Sequence, residues 1–153
     1  MTTAQLEVLV LDIGGTVLRE GVGIGPDGNL AVELLPAVAE DLATLAGSLR
    51  ITAATNTASM SSRAVREHLE RAGIGRYFTE IVTSSDVGAA KPDPTTVIRA
   101  ALAGGAGDMD AVLFIGDMPT DEEAARRAGV HFARVLPEGI AATVEKWREE
   151  RKQ

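Results

Sequence analysis

Short β-branched and aliphatic runs alternate along the chain with stretches whose apolar positions recur every three or four residues. Leu6–Asp12 is an apolar run ending on a carboxylate, the pattern of a buried strand. Similar runs cover Arg50–Ala54, Glu80–Thr83, Ala111–Ile115 and Val130–Val135. Between them lie helical stripes. Leu35, Val38, Leu42 and Leu45 form one, with Pro36 suited to a first turn and Gly47 past the end. Val65, Leu69 and Ala72 form the next, closed by Gly73. Pro94 opens a third carrying Val97, Ala101 and Leu102, with Asp93 placed to cap it. A fourth covers Asp121–Ala128 and stops at Gly129, and Ile140, Val144 and Trp147 line a terminal helix.

Strands alternating with helices predict an α/β fold. The expected architecture is a single-domain, Rossmann-like three-layer sandwich with a mostly parallel sheet of about five strands. No repeat, low-complexity segment or linker interrupts residues 1–153, so one domain is expected throughout. One segment breaks the rhythm. Residues 17–31 are too short and glycine-rich for a helix, and Gly25-Pro26-Asp27-Gly28-Asn29 is dense in turn formers. They predict a β-hairpin flap projecting from the end of the first strand.

Composition narrows the options. Aromatics are only 3% of 153 residues, so Ala, Val, Leu and Ile must build the core. The net charge of −7, with no Lys/Arg block, argues against nucleic acid or an anionic membrane as the main partner. Absence of cysteine removes disulfides, thiolate metal sites and cysteine nucleophiles. The start of the chain has no signal-peptide pattern, and no apolar stretch reaches the roughly 20 residues of a membrane helix. A cytoplasmic location is the expectation.

Four polar clusters follow the predicted strands: Asp12 to Thr16, Thr55-Asn56, Lys91-Pro92-Asp93-Pro94, and Gly116-Asp117 with Asp121. In a parallel sheet the carboxyl ends of the strands share one edge, where ligands bind. Singly, each cluster also fits a helix cap, a turn or an exposed loop lysine. Together they form a kit. Aspartates can hold Mg²⁺ through oxygen, Lys and Thr can meet phosphate oxygens, and a carboxylate can attack phosphorus. His68 and His131 read as structural.

The ordered set "VLVLDIGGTV", "ITAATN", "GAAKPDP" and "FIGDMPTDEEAARRAG" resembles the haloacid dehalogenase superfamily of mostly Mg²⁺-dependent aspartyl phosphatases. The resemblance implies that Asp12 is the nucleophile that becomes an aspartyl-phosphate. It implies that Thr55, supported by Asn56, binds the phosphoryl group, with Gly15 and Thr16 beside it, and that Lys91 offsets its charge. Mg²⁺ would be held by Asp12, Asp117 and the backbone carbonyl of Gly14, with Asp121 in the outer shell or positioning Lys91. The implied function is a phosphohydrolase acting on a phosphorylated small molecule, or on a larger phosphorylated substrate reaching an open site.

Two departures qualify that picture. Phosphatases of this family usually carry a second Asp two residues after the nucleophile, where this chain has Gly14. Such an acid/base is worth about 10²–10⁴-fold. Glu20 or Asp27 on the hairpin could donate the proton instead, although both also read as surface turn residues. No segment is long enough for the cap domain of many relatives, so the site is expected to be open or covered by another subunit, as in a homo-oligomer. A phosphate- and Mg²⁺-binding module of low activity is therefore the alternative. "LDIGGTVLREGVGIGPDGNL" also resembles the ATP turn of sugar kinases, but residues 50 to 130 follow the phosphatase order.

Overall fold

The computed structural model describes residues 5–19 and 33–152. Five strands form one sheet: β1 Val8–Leu11, β2 Arg50–Thr55, β3 Phe78–Thr83, β4 Val112–Gly116 and β5 His131–Arg134. Their order is β3-β2-β1-β4-β5, and every pairing is parallel. The chain steps outward from β1 to β3, then crosses over to lay β4 on the other side of β1. That reversal puts a topological switch point between β1 and β4, where an open α/β sheet leaves a crevice beyond its carboxyl ends. The α/β sandwich expected from the alternating pattern is the observed fold.

Among the described residues there are six α-helices: α1 Val38–Leu45, α2 Ser62–Arg71, α3 Ser84–Val87, α4 Thr95–Ala103, α5 Pro119–Ala128 and α6 Ile140–Arg151. Strand alternation separates two cores. Leu9 and Leu11 face a layer built with Leu42, Leu69, Ile140 and Val144 from α1, α2 and α6. Val8 and Val10 face the opposite layer, with Val97, Ala100 and Ala101 of α4 and Ala124 and Ala125 of α5. Its small alanines pack beside Phe114, which meets Phe132 edge-on at 6.1 Å. β1 is thus buried on both faces, which holds the residue after it, Asp12, rigidly at the centre of the edge.

Several local expectations need adjusting. α1 starts at Val38 rather than at Pro36, because Ala37 takes a left-handed φ of 63° and breaks the helical run. Leu102 is 57% exposed and leaves the predicted stripe; the buried face of α4 is Thr96, Val97, Ala100 and Ala101. Asp93 does accept the Thr95 N–H at 2.9 Å, as a cap should. The sequence reading missed α3, which Thr83 caps through Asp86 N–H. At the predicted flap, Leu18 pairs antiparallel with Leu34, and Arg19 N–H reaches Glu33 O at 2.8 Å. The hairpin expected over residues 17–31, with Glu20 and Asp27, otherwise lies outside the described residues. Among the described residues, no helix is long and apolar enough to cross a membrane.

Burial sets an expectation for stability. Leu9→Ala, at a fully buried β1 position, should cost about 2–5 kcal/mol in urea unfolding. Leu102→Ala, on the exposed face of α4, should stay within about 0.5 kcal/mol.

Candidate active site at the carboxyl edge

Asp12 follows β1, Thr55 ends β2 and Asp117 follows β4. Leu11 is in register with both Ala53 and Ile115, so the three chain ends leave the sheet side by side. Lys91 arrives from the irregular segment between α3 and α4, and Asp121 from the first turn of α5. The four clusters predicted to converge do so.

A buried lysine organises them. Lys91 Nζ donates to Asp12 Oδ1 at 2.9 Å, to the Ala54 carbonyl at 2.8 Å, and lies 2.7 Å from Asp121 Oδ1. The first two contacts are hydrogen bonds and the third is an ion pair. The Lys91 side chain is 2% exposed, and the ring of Phe114 lies 5.1 Å from Nζ. The other oxygen of Asp121 accepts the Asp117 and Met118 N–H groups, each at 3.1 Å. Asp121 is therefore committed at both oxygens, one tying down Lys91 and the other fixing the backbone that carries Asp117. Gly116 makes room for this, since a Cβ there would fall 2.5 Å from Asp121 Oδ2.

Asp117 differs from Asp121. Its Oδ1 is buried with no hydrogen-bond donor. Ligand oxygens of Asp12, Asp117 and Asp121 all lie within 4.8 Å of one another. Three carboxylates against one ammonium leave an excess of negative charge, and burial, the largest effect, pushes the Asp12 carboxyl up to about 7. Lys91 pulls it back down, while Asp121 and Asp117 push it further up. An all-oxygen set with a spare buried acceptor fits a divalent, oxygen-seeking cation such as Mg²⁺. Gly15 closes the approach: its φ is +80°, and a Cβ there would sit 2.2 Å from Asp117 Oδ2.

The remaining predicted residues separate into groups. Thr55 is buried at the end of β2, beside the cluster. The Gly15 and Thr16 N–H groups are spent inside their own loop, on Leu18 O at 2.8 Å and Ile13 O at 3.2 Å. Thr16 Oγ1 is buried without a partner. Both polar atoms of the Asn56 carboxamide engage the backbone of Lys91. The sequence reading missed the Ala54 carbonyl as a lysine acceptor, and no side-chain pattern could have shown it. His131 bonds Asp110 at 2.7 Å, and His68 contacts Arg71; both lie off this edge.

A family model described as haloacid dehalogenase-like hydrolase matches residues 28–135. The chain belongs to that family. Solved structures share its fold. An uncharacterized protein from Listeria monocytogenes serotype 4b is 25% identical with a TM-score of 0.73, covering 88% of this chain and 81% of that one. A HAD-superfamily hydrolase from Ehrlichia chaffeensis is 16% identical with a TM-score of 0.71, covering 91% and 92%. A HAD phosphatase from Thermococcus onnurineus is 16% identical with a TM-score of 0.69, covering 86% of each. In sequence, 70 residues are 39% identical to a glyceraldehyde 3-phosphate phosphatase from Methanopyrus kandleri. That match spans 45% of this chain and only 30% of the relative's length. Hydrolases of this family generally use Mg²⁺, in keeping with the acidic cluster found here.

The buried lysine has a measurable consequence. Lys91→Met leaves the Asp12 and Asp121 carboxylates without their counter-charge and should cost about 3–5 kcal/mol in urea unfolding.

Proposed function

We propose that residues 1–153 act as one cap-less core domain, a Mg²⁺-dependent phosphohydrolase that works through an aspartyl-phosphate on Asp12. The observation that carries this reading is the single cluster of a centrally held carboxylate, a buried ammonium paired with it and a carboxylate with a spare buried oxygen. The substrate class is a phosphate monoester, in line with the relative named for glyceraldehyde 3-phosphate.

An Asp12 oxygen attacks phosphorus, and the bond from phosphorus to the leaving oxygen breaks. The leaving alkoxide takes a proton from solvent. Water then attacks the phosphorus of the aspartyl-phosphate, which releases inorganic phosphate and restores the carboxylate. Lys91, bonded to Asp12 Oδ1, orients the carboxylate and offsets its charge. Hydrogen-bonded to Asp12 and the Ala54 carbonyl and ion-paired with Asp121, Lys91 acts on Asp12 more than on the phosphate. That leaves Thr55 as the hydroxyl contact to the phosphoryl oxygens. Asp12, Asp117 and the Gly14 carbonyl would hold Mg²⁺, with Asp121 positioning Lys91 and the Asp117 backbone. Bound there, the ion would supply positive charge to the phosphoryl oxygens.

Gly14 supports a second reading, a phosphate- and Mg²⁺-binding module of slow turnover, because position 14 has no carboxyl to protonate the leaving group. An open site also leaves room for a larger phosphorylated substrate or for a second subunit over it.

Two measurements separate these readings. Mg²⁺-dependent phosphate release from a panel of phosphorylated metabolites should disappear in Asp12→Asn, and activity retained in that variant would end the covalent mechanism. Gly14→Asp should raise hydrolysis of alkyl phosphates by about 10²-fold or more, and of aryl phosphates less, because aryl leaving groups need less protonation. Equal or reduced rates on both would mean that another group already supplies the proton.

A further inference from the structure

Lys91 lies on a segment that belongs to no strand or helix. Its peptide N–H and C=O therefore need partners from elsewhere. One side chain supplies both. Asn56 Oδ1 accepts the Lys91 N–H at 2.9 Å, and Asn56 Nδ2 donates to the Lys91 carbonyl at 3.1 Å. A carboxamide has one acceptor and two donor hydrogens on adjacent atoms, so it can pair with a single residue's backbone much as a strand would. Asn56 is itself exposed and packs into neither core, so burial does not explain this geometry.

The same strand end grips the other end of the lysine. Ala54, two residues before Asn56, presents its carbonyl to Lys91 Nζ at 2.8 Å. The end of β2 thus holds Lys91 at its backbone and at its tip, and the four-carbon stem is stretched between two fixed points. Without the backbone grip, the stem's rotamer freedom would spread Nζ among its acceptors, because the irregular segment offers no ladder to anchor the residue.

We propose that Asn56 is a positioning residue that clamps the Lys91 backbone so that the ammonium is delivered to Asp12, and that it is not a phosphate ligand. The inference rests on the reading of Lys91 as the partner of the Asp12 nucleophile. It assigns the Thr55-Asn56 pair two separate tasks: the threonine faces substrate, and the asparagine holds the lysine.

The test combines kinetics with a signal that needs no turnover. Asn56→Ala should lower kcat by roughly 10–100-fold with KM little changed, since the group that moves acts on the reacting carboxylate. In a Lys91→Met background the same substitution should cost no further kcat, because the residue through which it acts is gone. In protein labelled with ¹⁵N-lysine, the slowly exchanging Lys91 ammonium signal should broaden or vanish in Asn56→Ala, while far-UV circular dichroism stays that of the parent. A raised KM with kcat retained would show that Asn56 meets the substrate and would overturn the proposal. So would losses that multiply in the double variant, or an ammonium signal that does not change. Should the parent protein turn over no phosphate ester above Asp12→Asn, the phosphatase reading falls, while the ammonium signal still decides whether the clamp delivers Lys91.

Discussion

One buried ammonium holds the carboxyl edge of this sheet together. Lys91 Nζ joins the end of β1 through Asp12, the end of β2 through Ala54 and the start of α5 through Asp121. Burying a charge is costly unless it is paired and hydrogen-bonded, and here the ammonium makes two hydrogen bonds and pairs with a second carboxylate at 2.7 Å. The same arrangement concentrates more carboxylates than one lysine can neutralise. Burial, reinforced by that surplus, raises the Asp12 carboxyl, and Asp117 Oδ1 is left without a donor. The site is stable as a scaffold and electrostatically incomplete as a pocket, a combination suited to a divalent cation and a phosphoryl group.

The fold supplies the rigidity this needs. β1 is covered on both faces, by aliphatic side chains on one side and by alanine-rich helices on the other. Asp12 therefore leaves the sheet from a central, fully buried strand, at the point where the strand order reverses. Gly116 and Gly15 bring backbone against the carboxylates of Asp121 and Asp117 at distances that exclude a Cβ. Both glycines serve the acidic cluster. Gly14 is different, because what matters there is the carboxyl that phosphatases of this family usually carry at that position.

The fold class was legible in the sequence because buried parallel strands and amphipathic helices leave distinct periodicities. The misjudged details were those settled by neighbours. Leu102 fits a helical stripe in one dimension, yet only the packing of α4 against the sheet shows that Ala100 takes the buried position. Helix α1 begins late because Ala37 takes a left-handed conformation that its identity does not announce. At the site, the residue types and their order were readable, but their division of labour was not. Asn56 reads as a phosphate contact beside Thr55, and the fold adds that its carboxamide bonds the N–H and C=O of Lys91.

By itself, the sequence determined the alternation of strands and helices, the four polar clusters at strand ends and the missing carboxyl at position 14. These are properties of side-chain type and spacing, and the chain carries them before it folds. Only the tertiary structure decided which carboxylate is spent and which is spare. Asp117 and Asp121 are four residues apart and chemically identical, but Asp121 points into α5's first turn and onto Lys91, while Asp117 keeps an unpaired buried oxygen. Hydrogen-bond partners contributed by backbone carbonyls and N–H groups, such as those of Ala54 and Met118, are common to every residue. Their placement becomes specific only once the strands are in register.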